Sequence, residues 1–86
     1  MTAKERLENM GYDNVLLFSS YSYDDALIGV TVDNRAVYDY EKMVEWLCRT
    51  ENFTWEEAVD WIDYNTIRAL PYGGEAGPII VYPLPD

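Results

Sequence analysis

Eighty-six residues suffice for one domain with a marginal core, and 16 acidic against 6 basic side chains leave a formal net charge of −10. That balance argues against nucleic acid or an anionic membrane as a direct partner, because phosphate contacts need clustered Lys and Arg. With no histidine and one cysteine, Cys48, the chain lacks a Ser-His-Asp triad, the usual zinc ligand sets and an internal disulfide.

The composition, 49% hydrophobic and 15% aromatic, is that of a folded chain rather than a disordered one. No apolar run approaches the ~18 residues of a membrane span. The opening stretch "MTAKERLENMG" carries charges without an apolar core, so no secretion signal is expected and a reducing cytoplasm is the expected compartment. Cys48 lies among apolar residues in a helical pattern and reads as a small hydrophobe.

In chain order, Thr2 with Glu5 forms a capping-box pattern that opens a helix over Ala3 to Met10, and Gly11 suits its C-terminal cap. "NVLLFS", Asn14 to Ser19, predicts a buried strand, and "ALIGVTV", Ala26 to Val32, a second. Asp33-Asn34 supplies turn chemistry for a hairpin into a third strand, Ala36 to Tyr40. Asp39 caps a helix over Tyr40 to Thr50 with Met43, Val44 and Leu47 on its apolar face. Glu45 and Arg49 have the spacing of a surface pair. Thr54 with Glu57 is a second capping box, opening a helix over Trp55 to Ala69. Trp55, Ala58, Val59, Ile62, Thr66 and Ala69 line its inner face, and Pro71 stops it. "PIIVYPL", Pro78 to Leu84, is a last strand, and its flanking prolines suit a sheet edge. The expected fold is α+β in the order α-β-β-β-α-α-β: a small, mainly antiparallel sheet of three or four strands under a helical hairpin.

Three stretches are candidates for function. On the third helix Glu56, Glu57, Asp60 and Asp63 span roughly 10 Å, about one charge per 3 Å, close to the phosphate spacing of one DNA strand. A phosphate mimic is one reading. The other is local: Glu56 and Glu57 complement the helix macrodipole and the cap, and the remaining acids form a solvated face. In "YSYDD", Asp24 and Asp25 beside tyrosines suit an adaptable binding surface, or a β-connection whose tyrosines cover the edge of the core. In "YNTIRALPYGGEAGP", Tyr64, Arg68 and Tyr72 surround a helix end. They belong either to a partner-binding loop or to a terminator and turn, with Arg68 capping carbonyls or pairing with an acid. The glycines follow a helix, and no Gly-Lys-Ser/Thr follows them, so this is not a phosphate loop. No residue set supports catalysis, a metal or a cofactor.

"AVDWIDYNTIRALPYGGEAGPIIVY", preceded by "RAVYDYEKMVEWL", resembles a group of small, acidic, uncharacterised proteins of phages and mobile elements of Firmicutes. The resemblance covers Leu27 to Tyr82. It implies a bacterial host cell, a cytoplasmic location and a phage or prophage origin, and it carries over no catalytic residue. Together these features lead to the expectation of a non-enzymatic module that offers an acidic, tyrosine-bearing surface to a basic protein partner. Occlusion of a host nucleic-acid-handling or defence protein is the sharpest form of that expectation. The alternative is an accessory phage protein that self-associates, as a homodimer, through exposed aromatics.

Overall fold

A computed structural model describes the backbone of residues 2–85, and their side chains except at positions 72 and 73. The fold is α+β, with a three-stranded sheet in the order β1-β2-β3.

Helix α1 (Ala3–Asn9) starts as its sequence requires. The Thr2 hydroxyl accepts from the Glu5 N–H at 3.1 Å, and the Glu5 carboxylate accepts from the Thr2 N–H at 2.9 Å. That bond holds the Glu5 carboxyl below its ordinary pKa. Gly11, at φ 88°, turns the chain out of the helix as its N–H bonds to the Glu8 carbonyl. One turn of 3-10 helix (Asp24–Ala26) leads into β1 (Leu27–Val30), and Asn34, at φ 67°, sits in the turn to β2 (Ala36–Asp39). Asp39 caps α2 (Tyr40–Glu51) by accepting from the Lys42 N–H at 3.0 Å, and the left-handed Asn52 ends that helix. The second capping box, Thr54 with Glu57, opens α3 (Trp55–Trp61). The helix continues as a π-helical turn over Ile62–Ile67 and then as 3-10 turns over Leu70–Ala76. Gly74, at φ 66° and ψ −157°, breaks the 3-10 run with a conformation that only glycine adopts readily. Strand β3 (Ile79–Val81) closes the sheet at its edge, as its flanking prolines suggest.

The structure differs from sequence expectation in four places. Asn14–Ser19 is not a strand: it runs irregularly, with Val15, Leu17 and Phe18 packed on the core. Its apolar character selects burial, but a strand also needs a neighbouring backbone edge to pair with, and periodicity does not reveal one. The sheet is mixed. β1 and β2 pair antiparallel with an irregularity between Leu27 and Gly29, whereas β2 and β3 pair parallel because both helices intervene between them. Arg49 does not stay within its helix to meet Glu45, and its guanidinium instead pairs with Asp25.

The fourth difference is the π-helical turn itself. A turn closed by i→i+5 bonds carries an extra residue, so every later position rotates relative to an α-helix. Ile62 and Thr66 stay buried, but Ala69 and Asn65 are exposed, and Ile67 and Leu70 take the half-buried positions. The exposed Asn65 side chain donates to the Trp61 carbonyl at 3.1 Å. Trp55, expected on the inner face, is also exposed.

The core gathers Ala3 and Leu7 of α1, Leu27, Ala36 and Tyr38 of the sheet, Met43, Val44 and Leu47 of α2, and Ala58 and Ile62 from α3 and its π turn. Tyr23 lies at its centre, fully buried and in left-handed geometry at φ 46°, ψ 45°. Its ring meets those of Phe18, Tyr21, Tyr38 and Trp46 at centroid distances of 5.8, 6.1, 6.4 and 5.5 Å. Its hydroxyl and that of Thr66 hydrogen-bond at 3.0 Å, so the left-handed residue is tied to the π turn.

Candidate functional site

Each capping box fixes where a helix begins and therefore which side chains face outward. Along α3 and the π turn that continues it, positions 57, 60, 61, 64 and 65 fall on one face. With Phe53 from the preceding turn, Glu57, Asp60, Trp61, Tyr64 and Asn65 line a shallow open groove of about 380 Å³. Phe53 and Trp61 form its aromatic floor, with ring centroids 6.4 Å apart. Glu57 keeps one oxygen on the Thr54 N–H at 2.9 Å. Among the described residues, Asp60 and Glu56 have no hydrogen-bond or ion-pair partner. Tyr64 is 68% exposed, and the Arg68 guanidinium stands 6.0 Å from its ring centroid.

Beside this groove lies a second arrangement, built by the parallel strand pairing. The register sets Asp39 against Val81, so the next residues, Tyr40 and Tyr82, bring their rings together at a centroid distance of 4.9 Å with the planes tilted by 43°. The Tyr40 hydroxyl donates to the Asp63 carboxylate at 3.1 Å. Burial, and then the Asp63 carboxylate, push the Tyr40 phenol up to about 12. It therefore remains a protonated donor through the physiological range. Acid and aromatic side chains thus meet on one surface: Asp63 is bonded to Tyr40, and Asp60 lines the groove with Trp61 and Tyr64.

The other expected site residues lie elsewhere or have structural duties. Asp24 accepts from the Ala3 N–H at 2.7 Å, and its carbonyl accepts from the Arg6 guanidinium at 2.8 Å, so it fastens α1 to the core. Asp25 meets Arg49 of α2 in an exposed ion pair. Arg68 neither caps a carbonyl nor meets an acid among the described residues. It lies over Tyr64. The side chain of Tyr72 is outside the described residues. Of the other lining residues, Asn65 belongs to the candidate stretch "YNTIRALPYGGEAGP", whereas Phe53 and Trp61 carry no such mark, although helical spacing from Glu57 places Trp61 on this face. Tyr40 and Tyr82 carry no such signal, because only the parallel register brings them together.

Two buried polar atoms sit in the aromatic core behind this face. The Tyr38 hydroxyl lies near the Phe18 backbone and the Trp61 indole N–H near the Tyr23 hydroxyl, both without hydrogen-bond geometry. Burial raises the phenol of Tyr38 to about 12 and that of Tyr23 above its ordinary value.

A different surface is apolar. Met10, Tyr12, Leu16 and Ile28 are exposed around two adjoining grooves between α1, β1 and the irregular 12–17 segment. Among the described residues no group of three or more Cys, Asp or Glu converges so as to hold a metal ion. No helix of the described residues is long and apolar enough to cross a membrane. Comparison with protein-family models, curated proteins and solved structures gives no match.

Proposed function

We propose that this protein is a non-enzymatic interaction module whose α3 face receives a basic protein partner. One observation carries the reading: Asp60, whose carboxylate has no hydrogen-bond or ion-pair partner among the described residues, lines one groove with the exposed ring of Tyr64, on a chain of net charge −10. Such a surface steers a basic partner electrostatically, and tyrosine adds contact area for little entropy. By occupying the partner's cationic surface the module would block its other ligands. A nucleic-acid-handling or defence protein of a bacterial host is the partner class that fits both this chemistry and the resemblance to phage proteins. Surface electrostatics of this kind weaken as salt rises. The test is retention of partner proteins from a host lysate at low and at high salt. Wild-type protein retains a basic protein that high salt releases, and the double variant Asp60→Lys, Asp63→Lys loses it. Equal retention by the variant overturns the reading.

A second reading, self-association, is favoured by the exposed Met10, Tyr12, Leu16 and Ile28. It requires a dimer whose sizing-column position is insensitive to salt. Ile28→Asp converts such a dimer to monomer, and a wild-type monomer at every concentration tested removes this reading.

A further inference from the structure

We propose that the groove of Phe53, Trp61 and Tyr64 is a socket for one arginine side chain of the partner, with Asp60 as the carboxylate that meets its guanidinium. This deepens the reading of α3 as the face that receives a basic partner, and it rests on that reading.

Three aromatic rings and two carboxylates surround one open concavity of about 380 Å³. An apolar side chain entering it would bring Asp60 against a group that cannot bond it. An anion would be repelled by Asp60 and Glu57. A small hard cation needs several converging oxygens, and among the described residues no such set exists. A cation with an apolar stem and a flat head satisfies every wall. Its stem covers Phe53 and Trp61, its head faces the ring of Tyr64, and its N–H groups donate to Asp60. Arginine fits this description better than lysine. Its guanidinium is planar, weakly hydrated and able to stack and to donate in pairs, whereas an ammonium is a compact, strongly hydrated charge.

The chain itself carries an instance of this contact. Arg68 places its guanidinium 6.0 Å from the Tyr64 centroid. Tyr64 already accepts an arginine of its own helix, and Arg68 is not among the residues that line the groove. Asp60 has no internal hydrogen-bond or ion-pair partner among the described residues, so a guanidinium need displace nothing but water to reach it.

Nuclear magnetic resonance titration with two capped tripeptides, acetyl-Gly-Arg-Gly-amide and acetyl-Gly-Lys-Gly-amide, tests the socket. The full chain is used, and the indole N–H signals of its three tryptophans are followed. The arginine peptide is expected to shift the Trp61 indole and the backbone amides of Asp60 and Tyr64 saturably, leaving Trp46 unmoved. The lysine peptide, and the arginine peptide against Asp60→Asn or Tyr64→Ala, are expected to bind about tenfold more weakly. Both substitutions are at exposed positions, and an unchanged melting curve certifies each variant's fold. Equal response to the two peptides, or shifts that avoid Trp61, overturns the socket. A parallel titration with an oligoarginine separates this from the broader reading. Salt-sensitive binding of equal strength to wild type, Asp60→Asn and Tyr64→Ala overturns the socket and leaves the acidic face as a diffuse basic-partner surface. Absence of binding at low salt overturns both.

Discussion

Tyr23 and Tyr38 are fully buried, whereas Tyr64 and Tyr82 are about two-thirds exposed, yet all but Tyr82 stand next to or near an acid in the sequence. Tyr38 and Tyr40 are only two residues apart in "VYDYE", yet the first is fully buried and the second half-buried. Tyr38 is on the core face of β2, while Tyr40 begins α2 and reaches the surface acid Asp63. A tyrosine's role here is assigned by topology and not by its neighbours in the chain. Inside, the rings fill volume and their hydroxyls are a liability to be satisfied. Outside, the same hydroxyls and ring faces are available to another molecule.

The largest expected effect tests the inner group. Tyr23→Ala removes a ring that touches four others and leaves the left-handed backbone in place. A loss of about 3–5 kcal/mol is expected from urea unfolding, much of what a domain of this size possesses. A loss below about 1 kcal/mol would mean that Tyr23 is not the centre of the core, and the contrast with the outer tyrosines would collapse.

Alkaline pH comes next. Tyr38 is raised from 10.0 to about 12 by burial. The unfolded chain gives up this proton near 10 while the folded chain holds it, so folding binds the proton more tightly. This contribution is fully present below pH 10 and is lost as pH rises through 10 toward about 12. Urea midpoints measured across that window should fall in the wild type and fall less steeply in Tyr38→Phe. Parallel curves would remove Tyr38 from the effect.

Three hydroxyl deletions separate the inner tyrosines further. Tyr23→Phe leaves the buried Thr66 hydroxyl without its partner and is expected to cost about 1 kcal/mol, as is Thr66→Val. Tyr38→Phe deletes a buried hydroxyl that lacks a hydrogen bond and is expected to be neutral or slightly stabilising at neutral pH. Chemical unfolding of the three variants under identical conditions reads the order directly, and a Tyr38→Phe loss as large as that of Tyr23→Phe contradicts it.

Local chemistry was legible in the sequence, and long-range pairing was not. Both capping boxes, the Asp39 cap, the hairpin turn and the inner face of α2 follow from residues within a few positions of one another. The acids of α3 were legible as an exposed face for the same reason. What could not be read depends on partners far along the chain. Asn14–Ser19 has strand composition but no edge to join. Arg49 prefers Asp25, which is 24 residues away, to Glu45 one turn away. The π turn at Ile62–Ile67 carries Thr66, whose hydroxyl bonds that of Tyr23 across 43 residues, and it rotates Ala69 out of the face that α-helical counting assigned to it.

The smallest expected effect closes the comparison from the outer side. Tyr64 is 68% exposed, Arg68 is the ring's one cation contact among the described residues, and its neighbours Asp60 and Asn65 do not depend on it for a hydrogen bond. An exposed cation–π contact contributes about 0.5–1 kcal/mol at most, and the helix-forming propensity of alanine offsets part of its loss. Tyr64→Ala is therefore expected to change stability by no more than about 0.5 kcal/mol, within the range of ordinary surface substitutions. A loss of several times that size in urea unfolding would show that the groove is a structural seam, and that Tyr64 belongs with Tyr23. A near-null result leaves an aromatic ring held in water beside the Asp60 carboxylate without a folding reason, which is the condition the binding role of this face requires.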